Sequence, residues 1–153
     1  MAKLPQSLGS LVGRRVRRLG RVLYEHRGEI GCDGPLEIEA DGCVVLLDGA
    51  GDGESLRIVG RPWIDPFEEP LSKENQGYLY EHGKWQRVDH SHREGYADFI
   101  GQVVEEMRLL ENEHGRVAGL RLSAAGRSLW FAVEGDECLV HWAQPIGFTE
   151  PEG

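Results

Sequence analysis

Apolar and charged residues alternate along Leu36-Glu37-Ile38-Glu39-Ala40, the pattern of a strand with one buried face. Asp41-Gly42 follows as a hairpin turn, because glycine accepts the positive φ that tight primed turns require. Cys43–Leu47 is then a continuous apolar run of strand length, and Ser55–Val59 alternates again with Leu56 and Ile58 on one face. The same order of patterns returns further along: Leu120-Arg121-Leu122, a turn at Ala125-Gly126, the run Leu129–Val133, and Cys138–Trp142. At an offset of 84, Leu36, Ile38, Gly42, Gly51, Asp52, Leu56 and Ile58 fall on Leu120, Leu122, Gly126, Gly135, Asp136, Val140 and Trp142. At an offset of 88, Leu11, Gly13, Val16 and Leu19 fall on Phe99, Gly101, Val104 and Met107. The prediction is a mainly β chain of two duplicated antiparallel β-meanders, spanning 11–59 and 99–142, packed as a sandwich or a partly open barrel.

The first segment of each unit fits two periods. Val12, Val16, Leu19 and Leu23 step at helical spacing, as do Ile100, Val103 or Val104, Met107 and Leu110. Against a helix, Val117–Leu122 pairs naturally with a preceding strand through a turn at His114-Gly115. A β-bulge near the glycine would account for the broken alternation. Strand is the favoured reading, and helix stays open.

The connecting segment, 60–98, follows neither pattern. Pro62, Pro66 and Pro70 exclude regular ladder pairing across 61–71. Ser72 is placed as the N-cap of one short helix carrying Tyr78, Leu79 and His82, which Gly83 terminates. Asp89–Gly95 reads as an exposed polar loop, and Pro145–Gly153 as a frayed tail.

The 153 residues suit a single domain, 1–153, and the 21 glycines suit many turns between short strands. The net charge of −9 makes nucleic acid an unlikely partner, since phosphate contacts need a basic face. The charge is uneven: residues 1–27 hold seven basic residues and one acid, a net of +6, which leaves −15 for the rest. Mutual neutralisation after folding is the simpler account of that asymmetry; a surface that steers a charged partner is the sharper one. Cys32, Cys43 and Cys138 form no CxxC pair, and the chain has neither a membrane-length apolar run nor a secretory h-region, so a cytoplasmic location without membrane association is expected.

Catalytic motifs are missing: there is no Gly-x-Ser-x-Gly elbow, His-Glu-x-x-His pair or phosphate loop. His90 and His92 form an HxH pair, but spacing fixes no third ligand, so they are weak metal candidates and no cofactor is expected. Asp48, Asp52 and Glu54 crowd one loop without the ligand run of a calcium site, and a turn shared with Gly135-Asp136 is the better explanation. The connecting segment offers the strongest candidate surface. Trp63, Phe67, Tyr78 and Trp85 are interleaved there with Glu68, Glu69, Glu74 and Glu81, and rings rimmed by charge are typical binding anchors.

The run Gly101, Val104, Gly119–Leu122, Leu129–Phe131 and Gly135–Glu137 resembles small uncharacterised bacterial two-repeat β proteins, some of which resemble immunity proteins of polymorphic toxin systems. That resemblance implies a bacterial, cytoplasmic protein that acts by binding, and brings no catalytic residues with it. The expected function is therefore a non-catalytic protein-binding module, of the immunity type, that neutralises a basic partner. The alternative is a small-molecule or metal-dependent enzyme with a pocket between the two halves and the His90/His92 loop at its mouth. A homodimer joined through a sheet edge is the third reading.

Overall fold

Val16–His26, the segment with two possible periods, is a long strand, β1. Its helical spacing arises from a β-bulge. Val16 pairs with Ala40 but Arg18 with Glu39, so one extra residue shifts the phase between Val16 and Leu19. The computed structural model describes residues 5–67 and 72–151. In these, β1 is preceded by a one-turn helix, α1 (Gln6–Gly9), and followed by β2 (Glu29–Ile30), β3 (Leu36–Ala40), β4 (Cys43–Gly49) and β5 (Leu56–Val59). Then come α2 (Lys73–His82), β6 (Lys84–Asp89), a 3-10 turn at Tyr96–Phe99, and β7 (Val104–Glu111), β8 (Val117–Ala124), β9 (Arg127–Glu134) and β10 (Glu137–His141). The strands form two antiparallel sheets, one of six strands and one of four, and neither closes into a barrel.

The two meanders share their register. Val16↔Ala40, Leu19↔Ile38 and Leu36↔Leu47 in the first sheet become Val104↔Ala124, Met107↔Leu122 and Leu120↔Phe131 in the second. The bulge recurs between Val104 and Glu106. Gly42 and Gly126 occupy matching hairpin turns at φ +77° and +74°. The correspondence slips at the last strand. Gly49 faces Leu56, whereas Val133 faces Cys138, so Leu56 matches Cys138 and Ile58 matches Val140, two residues short of the gapless alignment. The cause is turn chemistry. Asp52 folds a longer loop by accepting from Glu54 N and Ser55 N, while Gly135 and Asp136 both take positive φ in a two-residue turn. The two Gly-Asp pairs are thus different turns, not a shared one.

The inner faces of both sheets contribute to one core, in which Leu19, Leu36, Ile38 and Leu47 pack with Leu120, Leu122, Leu129 and Phe131. Each outer face is covered by the chain that follows its meander. Over the second sheet, Phe148 packs on Leu110, Ala118 and Ala132, and Thr149 exchanges backbone hydrogen bonds with Glu111. Pro145–Pro151 is therefore docked rather than frayed, because the outer face of β7–β9 is apolar and needs cover; residues 152–153 lie outside the described residues.

Matching positions on the outer faces carry ion triads of opposite polarity. On the first sheet Glu37, fully buried, is held between Arg18 and Arg87. On the second, Arg121 is held between Glu106 at 2.7 Å and Glu150 at 2.6 Å. Arg18 and Glu106 are register equivalents, as are Glu37 and Arg121. Burial opposes ionisation of Glu37, but hydrogen bonds from Arg87, Arg18 and the Trp63 backbone outweigh it and hold its carboxyl below the usual range.

Candidate functional site

Sequence patterns missed α1, β2 and β6, and of these β6 builds the candidate site. Its charged, alternating sequence hides a strand that pairs with β1 from Glu25↔Lys84 to Gly20↔Asp89, on the edge opposite β2 and β3. That register sets Trp85 beside Tyr24, with ring centroids 5.5 Å apart in an edge-to-face contact. The Trp85 ring also rests on Gly34, where a Cβ would stand 3.2 Å from the ring and 1.8 Å from the carbonyl oxygen of Val22. Only glycine fits between that strand and that ring.

Opposite Trp85, the proline-rich segment crosses the outer face of the sheet and is pinned at Trp63. Trp63 N donates to Glu37 Oε2 at 2.8 Å, and Trp63 O accepts from Arg87 Nη2 at 2.7 Å. The Arg87 guanidinium lies 5.9 Å from the centre of the Trp63 ring, within cation–π range. The buried triad thus does more than neutralise charge: it fixes one tryptophan by both backbone groups.

Between the two tryptophans lies a cleft of about 400 Å³. Val22, Leu46 and Val59 line it with apolar surface, and Ile64 joins the two rings. Its polar lining is the Asp48–Arg57 ion pair, at 2.9 Å, and Arg61, which makes no ion pair among the described residues. Trp85 is 43% exposed, Ile64 59% and Tyr24 37%. A half-exposed aromatic cleft with a few polar groups at its edge is suited to receive an apolar or aromatic side chain.

The remaining expected residues distribute unevenly. Phe67 stacks on Tyr78 at 5.8 Å, and Tyr78 contacts His82 at 4.6 Å, which ties the crossing segment to α2. The helix begins and ends where expected, with Asn75 N donating to Ser72 Oγ and Gly83 at φ +77°. It buries none of its residues, and Glu74 and Glu81 are exposed without an ion pair among the described residues. Glu68 and Glu69 lie outside the described residues. Sequence patterns missed Tyr24, Val22 and Ile64. Alternation along β1 could have grouped Val22 with Tyr24, opposite Leu19, Arg21 and Leu23.

His90 corrects the expectation of a solvated HxH loop. It is buried, with Nδ1 3.2 Å from Val88 O and its ring edge-on to Tyr96 at 5.0 Å, while His92 is exposed. Continuation of the β1 ladder draws it in: His90 N donates to Leu19 O, and Ser91 Oγ accepts from Leu19 N at 3.0 Å. Among the described residues, no group of three or more His, Cys, Asp or Glu is arranged to hold a metal. The acids of the 48–54 loop serve Arg57, the Asp52 turn, and His114 with Asn112. No described helix is long and apolar enough to cross a membrane.

The basic block of residues 14–27 is not a free patch. Arg17 pairs with Asp41, Arg18 with Glu37, and Arg27 lies over the Tyr80 ring at 5.4 Å. Arg14 and Arg15 donate to backbone carbonyls of Asp41 and Gly101. No family model, no curated protein and no solved structure matches this chain.

Proposed function

We propose that this chain is a non-catalytic protein-binding module that docks a partner protein on the outer face of its six-stranded sheet. The observation that carries the reading is the cleft between the half-buried Trp63 and the exposed Trp85, whose positions are fixed by the Glu37 ion triad and by β6 pairing. Rigid aromatic anchors beside an apolar cleft suit a partner side chain inserted between them, because little side-chain entropy is lost on binding. The net charge of −9 favours a basic partner, and Glu74 and Glu81 present carboxylates without an ion pair among the described residues, on the helix that runs, in sequence, between the two tryptophans. An immunity-type protein, which neutralises a basic toxin, would use such a surface in this way.

The test is capture of partner protein by immobilised wild type, compared with two variants of verified fold. Trp63→Ala/Trp85→Ala is expected to lose the basic partner held by the wild type, at about 2 kcal/mol or more per anchor. Glu74→Gln/Glu81→Gln is expected to slow association, most at low salt. A partner held equally by all three proteins would move the docking site off this face.

A further inference from the structure

A second recess, of about 640 Å³, opens between the two halves, away from the tryptophan cleft. Arg21 and Leu23 line it from β1, Val140 from β10, and His90, Arg93 and Tyr96 from the loop after β6. Arg21 is 4% exposed and pairs with no carboxylate among the described residues. Its guanidinium is held by neutral oxygens: Nη2 donates to Gly34 O at 2.9 Å, Cys138 O at 3.0 Å and Cys32 O at 3.5 Å, Nε to Pro35 O at 3.3 Å, and Nη1 to Tyr96 Oη at 3.1 Å. Nη1 carries a second hydrogen, for which no acceptor occurs among the described residues.

A buried cation held only by neutral dipoles is costly. The duplicated architecture supplies the comparison. Arg21 faces Leu36, and the matching residue of the second sheet, Leu109, faces Leu120 and is an ordinary core leucine. One scaffold position thus holds leucine in one half and an unneutralised arginine in the other. The surroundings keep the recess positive. Arg93 makes no ion pair among the described residues, and His90 is held neutral by burial together with the nearby charges of Arg93 and Arg21. Glu94 is the one carboxylate among the lining residues. Beside the guanidinium, Leu23, Val140 and the edge-to-face rings of His90 and Tyr96 offer apolar, partly aromatic lining.

We infer that the recess between the sheets binds a small oxyanion with an apolar or planar body, a carboxylate or a phosphate monoester, with Arg21 as its buried counter-charge and Arg93 at its edge. The site is separate from the tryptophan cleft and does not depend on the docking reading.

Calorimetric titration of the full chain with benzoate, phenyl phosphate and inorganic phosphate tests it. Saturable binding is expected for benzoate or phenyl phosphate, whichever head group the recess prefers, and much weaker binding for inorganic phosphate, which lacks the apolar body. Arg21→Leu places at this position the residue its counterpart carries; it is expected to fold, with a lower melt because buried carbonyls lose their donor, and to lose binding by on the order of tenfold or more. Arg93→Ala, a surface change, should weaken binding several-fold without altering the melt. Absence of binding by both aromatic probes would overturn the inference, as would a folded Arg21→Leu protein that binds as wild type does. If Arg21→Leu fails to fold, Arg21 is structural, and unchanged binding by Arg93→Ala would then overturn the site.

Discussion

Replacing Glu37 by Gln separates the two tasks of the buried triad, because glutamine keeps an acceptor for Trp63 N but removes the charge between Arg18 and Arg87. Breaking a fully buried ion pair from one side costs about 3–5 kcal/mol. The arginine side chains here are 23% and 40% exposed, so water relieves part of their loss, and about 2 kcal/mol is the expected destabilisation. For a chain of this size that corresponds to a fall in Tm of about 4–8 °C. Because the folded carboxyl titrates below its ordinary value of 4.5, its contribution is fully present above that value and lost as pH falls through the lower folded one. Urea unfolding of wild type and Glu37→Gln should therefore differ at neutral pH and converge in acid. Equal stability at neutral pH, or a gap that persists unchanged in acid, would refute the assignment of the triad as a stabilising charge cluster. Glu37→Ala, which also removes the acceptor for Trp63 N, should cost more and should blue- or red-shift the tryptophan emission as the crossing segment loosens.

Three further outcomes follow from local geometry. Phe148→Ala should destabilise by about 3 kcal/mol in denaturant unfolding, because Phe148 covers the apolar outer face of the second sheet. Gly95→Ala should cost about 1–3 kcal/mol and perturb Trp142 emission, since Gly95 has φ +85° and a Cβ there would stand 2.7 Å from the Trp142 ring; Gly13→Ala, at φ +88° in open space, should cost less. The hydrogen bond that His114 Nδ1 donates to the Glu54 carboxylate raises the His114 pKa above 6.5, so histidine NMR titration should find it lower in Glu54→Gln. This pair stabilises the fold fully below the unfolded histidine value, and the gain is lost as pH rises through the folded one.

Local rules wrote the meanders plainly into the sequence, and long-range contacts decided the rest. The turns at Gly42 and Gly126 and the caps at Ser72 and Gly83 depend on residues within four positions of one another, and all stand where sequence rules place them. Strand β1 looked helical because its bulge re-phases the inward residues, a feature legible only once its partner is known. Strand β6 was illegible for a different reason. Its arginine and glutamine are satisfied by Glu37 and Glu25, distant in sequence, so a strand facing buried charge reads as a polar loop. The same holds for His90, drawn inward by Leu19, and for the C-terminal segment, whose cover of β7–β9 depends on one phenylalanine. Of the candidate surface, Trp63 and Trp85 are brought to one cleft, whereas Phe67 and Tyr78 form a separate stack and Glu74 and Glu81 are exposed on α2.

Two nearly equivalent sheets create a risk of misassembly, since each covering segment has two apolar faces on which to settle during folding. The inverted triads discriminate between them. A C-terminal segment laid over the first sheet would bring Glu150 against Glu37, and β6 paired along β7 instead of β1 would bring Arg87 towards Arg121. Like charges meeting in a poorly hydrated site cost several kcal/mol, enough to make the crossed arrangement a rare and short-lived error. The polarity of each triad therefore acts as an address, and an inversion confined to one half, such as Glu37→Arg with Arg18→Glu, would let the C-terminal segment compete for the wrong face.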